Sequence, residues 1–339
     1  MSNETPKLPA GSFERVHIDS TQAERIVKPS LSFWQDAWLR IRKNKAAIVS
    51  MVILFLIVLM SFIGPMLSPH EADHQTITHA NLPPKVPGLE KLGIFDGVGT
   101  LAGKEVDLYE MKKVDTYYWF GTDGLGRDMF SRVWEGTRVS LLIAFAAALI
   151  DMVIGVAYGG ISGYYGGRVD DVMQRIVEIL IGIPTLVIVI LMIMFMPPGV
   201  LAIIIAITIT GWTGMSRIVR GQVLKFKNQE FVLASRTLGA SDKRIISKHI
   251  LPNILGIIII NTMFTIPSAI FFEAFLSFIG LGLQPPDASL GTLINDGYKL
   301  IQFQPHILFI PATIISLLMI SFNLLGDGLR DALDPKMKD

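Results

Sequence analysis

No cysteine occurs among the 339 residues, which excludes disulfides, thiolate metal sites and cysteine nucleophiles. Charge is scarce as well. Only 17% of residues are charged and the formal net charge is +1, so the chain lacks the concentrated basic surface that phosphate backbones require, and nucleic acid is not an expected partner. No Gly-x-x-x-x-Gly-Lys-Ser/Thr run exists. The sole Gly-Lys pair, Gly103-Lys104, is followed by Glu105, so this chain is not expected to hydrolyse ATP. Residues 1 to about 31 are polar, without the apolar core of a signal peptide, and read as a cytoplasmic tail.

Apolar residues are abundant, at 51%, and they are concentrated in long runs. Runs over Ala46–Leu67, Ser140–Tyr158, Ile176–Met196, Val200–Gly214, Ile254–Leu281 and His306–Leu325 read as membrane spans, given ~20 residues at ~1.5 Å each for a ~30 Å hydrocarbon layer. The expected fold is an all-α integral membrane protein with six transmembrane helices. Trp34 and Trp38 beside Arg40, Arg42, Lys43 and Lys45 fit an interfacial helix before the first span. Arg217, Arg220, Lys225, Lys227, Arg236, Lys243, Arg244 and Lys248 crowd the loop after the fourth, which the positive-inside rule puts in the cytoplasm together with both termini. The expected organisation is a cytoplasmic tail and interfacial helix over 1–45, a first span over 46–67, a small extracytoplasmic subdomain over 68–139, a five-helix core over 140–325 with a cytoplasmic loop at 215–253, and a cytoplasmic tail over 326–339.

The stretch Glu230–Asn253 is a polar island between apolar segments. Phe231, Ala234 and Leu238 recur at helical spacing and predict a short helix with one apolar stripe, ended by Gly239. Ser241 is the expected N-cap of a second helix, with Ile245, Ile246, His249 and Ile250 on one face, until Pro252 interrupts it. Two short helices at a small-residue elbow make a docking surface; an amphipathic helix lying on the membrane is the plainer reading of the same pattern.

Ala234, Ser235 and Gly239, closed by Leu251-Pro252, resemble the small-residue loop of permease subunits of ABC importers. The family pattern has Glu where this chain has Leu233, Ala in place of Ser235 and Ile in place of His249. The run Phe120-Gly121-Thr122-Asp123-Gly124-Leu125-Gly126-Arg127-Asp128, continued through Ser131-Arg132, Gly136, Arg138 and Ser140-Leu141, resembles the signature before the second span of peptide and nickel permeases. Glu273 to Leu283 with Pro285-Pro286 and Ser289-Leu290-Gly291, then Asn323 to Pro335, are similar to the family's later signatures, in order. The long first outer loop looks most like the C-type subunit of oligopeptide permeases.

The resemblance implies a non-catalytic membrane subunit of an ATP-driven oligopeptide importer in a bacterial cell membrane, working by alternating access. It further implies a second permease subunit as heterodimer partner, two cytoplasmic ATPases that use ATP and Mg, an external peptide-binding protein and a peptide substrate; no cofactor or metal is expected on this chain. Leu233, Ala234, Ser235, Gly239, Ala240, Leu251 and Pro252 are then the ATPase-coupling candidates. The same architecture carrying dipeptides, nickel or glutathione is the alternative. Tyr117, Tyr118 and Trp119 are candidates for contact with the binding protein, or for an interfacial aromatic belt.

Asp151, Glu178, Asn261, Glu273 and Asn323 fall within apolar spans, where polar groups must face other helices or a wet cavity; they read as pathway or interhelical residues. Pro184 and Pro267 are candidate kinks. His70-Glu71-Ala72-Asp73-His74 spells His-Glu-x-x-His and leaves a membrane zinc protease as a distant alternative, although Pro69 and the poor helix formers that follow argue for a chance match in a loop.

Overall fold

The computed structural model describes residues 32–101 and 104–333. The tails expected over 1–31 and 334–339, with Asp334 and Pro335 of the last signature, lie outside the described residues.

Helix α1 (Phe33–Ile41) starts at a reciprocal cap in which Ser32 and Gln35 bond each other's backbone N–H groups. Both tryptophans on it are exposed. Helix α2 (Lys45–Leu67) is apolar throughout its middle, and its small residues Ala47, Ser50, Ser61 and Gly64 lie on the buried side. Small side chains let neighbours approach closely: a Cβ on Gly64 would meet Trp134 Cδ1 at 2.5 Å.

After α2 the chain forms a small unit containing an antiparallel hairpin of β1 (Val98–Leu101) and β2 (Lys104–Asp107), then α3 (Leu108–Lys112). Its own core is Leu82, Tyr109, Val114 and Tyr118. The buried Tyr109 hydroxyl is satisfied by donating to Pro83 O at 2.9 Å. This hairpin is the one exception to helix among the described strands and helices.

Helix α4 (Met129–Tyr165) runs for 37 residues from a cap in which Asp128 accepts from the Phe130 and Ser131 N–H groups. There follow α5 (Gly167–Gly182), α6 (Thr185–Phe195), α7 (Val200–Phe226), α8 (Glu230–Thr237), α9 (Asp242–Phe278), α10 (Leu290–Lys299) and α11 (Pro305–Leu333). Five of these, α2, α4, α7, α9 and α11, are long and apolar enough to cross a membrane, and the α5–α6 pair makes a sixth if it counts as one span.

The third span, expected over Ile176–Met196 with Pro184 as a candidate kink, is bent by 82° between α5 and α6. Pro184 is the cause. Its ring disfavours helical geometry at the residue before it, and Ile183 is extended at φ −88°, ψ 121°. Pro267, by contrast, sits within α9 without ending it. The other spans are longer than their apolar centres, so the limits drawn at 140, 215, 253 and 326 fall inside helices. Hydropathy registers only the apolar middle of a helix whose charged ends continue past it.

Helices α4 and α7 pack most intimately, along Gly155, Gly159 and Gly163 at four-residue steps. A Cβ at Gly155 would stand 2.6 Å from Met215 Cβ, at Gly159 3.0 Å from Arg220 N, and at Gly163 2.9 Å from Arg220 O. A small-residue stripe of this kind is how membrane helices gain van der Waals contact where water supplies no driving force. The main core then joins these two to α2, α9 and α11 through Leu54, Ala144, Ile203, Ile270 and Leu318.

Candidate functional site

Helix α8 buries one apolar side chain. Val232 is fully buried, whereas Phe231, Leu233, Ala234 and Leu238 are exposed, Leu238 at 88%. The apolar stripe expected of Phe231, Ala234 and Leu238 therefore exists but points away from this chain, and its inward counterpart at Val232 was not legible from the spacing. Gly239 ends the helix at φ +81°. A side chain there would meet nothing within 4 Å in this chain, so its constraint is the left-handed backbone that glycine adopts at no steric cost. Ala240 N–H then returns to Ser235 O at 3.1 Å, and Ser235 Oγ donates to Phe231 O at 2.8 Å.

Ser241 occupies the N-cap position of the second arm, but its side chain makes no cap bond. The expectation that Pro252 interrupts this arm is corrected. Residues Ile245–Ile250 form a π-helical turn, with Leu251 N–H reaching back to Ile246 O, and Leu251 and Pro252 enter the α-helical continuation to Phe278. A widened turn absorbs the missing proline donor and its clash with the preceding turn, so the ladder shifts instead of breaking. Ile245 and Ile250 are fully buried beneath it and His249 is partly covered.

Polar pins tie the ends of α4, α5 and α7 to one another, and one set holds the elbow to them. Arg220 forks onto Asp170 through Nε to Oδ1 at 2.6 Å and Nη2 to Oδ2 at 2.5 Å, and Ser162 Oγ donates to the same carboxylate. Lys227 Nζ donates to Gly163 O at 2.9 Å. Tyr164 OH donates to Asp242 Oδ1 at 2.7 Å and accepts from Arg236 Nη2 at 3.2 Å, with the guanidinium 5.5 Å from the ring centre. Reading the cations as a topology signal missed this role, and the acids Asp170 and Asp171 in the short loop before the third span were the available clue.

The five intramembrane polar candidates separate into three groups. Asp151 and Asn261 line one cavity of about 450 Å³, with Thr210, Gly211, Thr265 and Ser268 among its walls. Glu273 is fully buried and accepts from Ser140 Oγ of α4, an interhelical bond, and from Ser277 Oγ one turn on along its own helix, both at 2.8 Å. Glu178 and Asn323 lie outside that cavity and bond within their own helices: Glu178 is exposed and pairs with Arg175 at 2.9 Å, and Asn323 is exposed and donates to Met319 O at 2.8 Å.

The Gly121–Asp128 run is a joint between the hairpin unit and α4. Asp123 Oδ1 accepts from the Leu125 and Arg127 N–H groups, and its Oδ2 pairs with Arg127 Nε at 2.7 Å. Asp128 also accepts from Ser68 Oγ at 2.7 Å, which ties the end of α2 to the start of α4. Within the aromatic candidates only Tyr117 is exposed; Tyr118 is buried and Trp119 packs edge-on against Phe130 at 4.7 Å.

The His70–His74 segment is not helical, so its histidines do not share a helix face. His70 stacks on Tyr118 at 4.2 Å, and no group of three or more His, Cys, Asp or Glu side chains among the described residues is placed to hold a metal. His79 accompanies them, bonded to Tyr118 OH at 2.8 Å, its imidazole lowered by burial and then by His70 and Lys112.

Residues 155–339 match the profile of the binding-protein-dependent transport system inner membrane component, and residues 32–84 match that of the N-terminal TM domain of oligopeptide transport permease C. The chain therefore belongs to the permease subunits of ABC importers, in the C-type branch of the oligopeptide and dipeptide group. Similar relatives include the dipeptide transport system permease protein DppC of Bacillus subtilis (strain 168), 50% identical over 94% of this chain and 90% of the relative. The oligopeptide transport system permease protein OppC of the same organism is 46% identical over 98% and 99%, and OppC of Escherichia coli (strain K12) 40% over 93% and 95%. A chain of the inward-facing MetNI methionine ABC transporter shares the fold with a TM-score of 0.50 at 22% identity, over 60% of this chain and 97% of its own length. The protein is a membrane-embedded transport component, not an enzyme.

Proposed function

We propose that this chain imports short peptides as one half of a heterodimeric pathway, paired with a second permease subunit and served by two ATPases and an external peptide-binding protein. The relatives named for dipeptides and for oligopeptides match it to nearly the same degree, which supports short peptides as the cargo class. The Glu230–Asn253 elbow is the ATPase-coupling element, with Leu233, Ala234, Ser235, Gly239 and Ala240 at the contact and Leu251 and Pro252 leading into α9. The observation that carries this is the outward apolar face of α8, where Phe231, Leu233 and Leu238 are exposed beside a left-handed glycine with open space around it.

ATP and Mg act in the ATPase subunits. Their closure moves the elbow, and peptide selects between outward-open and inward-open states only through its different affinity for the two. The elbow and both termini lie in the cytoplasm of a bacterial cell, and the hairpin unit lies outside, where it meets the binding protein. The test is affinity purification of this chain from the cell that makes it, followed by uptake of labelled di- and oligopeptides in vesicles reconstituted with the complex. Recovery of two ATPases and a second permease with ATP-dependent peptide uptake is expected; purification without ATPases, or transport of nickel in place of peptide, refutes it.

A further inference from the structure

The protein treats two buried carboxylates in opposite ways. Glu273 is surrounded by serine hydroxyls that satisfy it, whereas Asp151, about midway along α4 and only 4% exposed, keeps Oδ1 buried with no hydrogen-bond partner among the described residues. Buried carboxylates without partners are costly, and native structures rarely keep one without a use. Gly211 on α7 makes room for it: a Cβ there would stand 2.8 Å from both Cγ and Oδ1 of Asp151. No lysine, arginine or histidine lines the cavity that Asp151 faces, so its walls supply no counter-ion.

Three of the other polar walls direct a proton at the backbone of their own helix. Thr265 Oγ1 donates to Asn261 O at 3.0 Å, Ser268 Oγ to Phe264 O at 3.0 Å, and Asn261 Nδ2 to Ile257 O at 2.8 Å. Each hydroxyl has one proton, so what Thr265 and Ser268 present to the cavity is acceptor oxygen, beside the hydroxyls of Thr185 and Thr210. A carboxylate without a counter-ion, among acceptor oxygens in an otherwise apolar cavity, calls for a compact cation with several N–H donors. We propose that Asp151, with Asn261, Thr265 and Ser268, forms a subsite for a primary ammonium group, occupied in transit by the free amino terminus of the peptide. This rests on the peptide-import reading above.

Because the chain has no cysteine, a single Ser268→Cys reports on the subsite in the complete importer, reconstituted in nanodiscs with cysteine-free partner subunits. Trialanine at millimolar concentration is expected to slow labelling by a small methanethiosulfonate about tenfold relative to N-acetyl-trialanine, as one charge-assisted hydrogen-bonded contact allows. Adding Asp151→Asn should remove that difference, and Asp151→Glu should keep it. Equal protection by the two peptides in the Ser268→Cys complex overturns the proposal, and that comparison decides even if Asp151→Asn does not assemble. Equal protection by sodium chloride at the same concentration also overturns it, since the site would then take any small cation. Uptake of labelled trialanine by the unsubstituted complex is measured in parallel: its absence sinks the import reading, whereas uptake with equal protection sinks only the ammonium subsite.

Discussion

Gly239 carries the sharpest expectation at the scale of single residues. Its φ of +81° makes any side chain strained by about 1–2 kcal/mol, and nothing in this chain fills the space a Cβ would take. Gly239→Leu should therefore leave the helices inserted and the permease subunits paired, yet remove stimulation of ATP hydrolysis by peptide-loaded binding protein. ATP turnover in vesicles with and without that protein, and ATPase retention on purification, check this; normal stimulation would return α8 to the status of a surface helix. Glu71→Gln should leave peptide uptake unchanged, because Glu71 is exposed in a non-helical loop whose His70 is committed to stacking on Tyr118. Loss of uptake from an intact complex would reopen metal chemistry there.

The α4–α7 pair is where packing alone sets the outcome at the scale of elements. Gly159→Ala should destabilise the protein by about 1–3 kcal/mol, since its Cβ would press on Ser216 and Arg220 backbone. Gly160→Ala, whose Cβ finds only Ile246 Cγ2 at 3.9 Å, should be neutral or stabilising by up to about 1 kcal/mol through helix propensity. Thermal denaturation of the two variants in detergent distinguishes them, and equal melting points would mean the stripe is not the contact.

The positions of the apolar middles were legible in the sequence, because hydropathy is a local property. Helix ends were not, since Met129–Ser140 and Met215–Phe226 carry charges that read as loop yet stay helical by capping and packing. Pro184 and Pro252 show why a breaker alone does not decide. One bends the chain by 82° and the other is absorbed in a π-helical turn, and the difference depends on neighbours distant in sequence. Among the site candidates, Asp151 and Asn261 meet in one cavity, but no spacing rule separates them from Glu178 or Asn323; that needs the rotation of each helix.

At the scale of the whole molecule, orientation in the bilayer is fixed by where the cations fall. Ser241, exposed at the elbow, should react with an impermeant thiol reagent as Ser241→Cys only after cells are lysed. Labelling in intact cells would invert the topology and with it the direction of transport.

The continuity of the second elbow arm with α9 makes the two a single lever. Its 37 residues reach about 55 Å, so a tilt of about 10° moves one end about 10 Å relative to the other. That lever is clamped near its far end, where Glu273 binds Ser140 of α4 and Leu290 N–H reaches the same serine hydroxyl at 3.2 Å. A rod held at one end swings at the other. On the proposed coupling role, small displacements of the elbow would be spent opening and closing the side of the bundle that carries it, while the opposite end, stapled by one carboxylate, would act as the fulcrum.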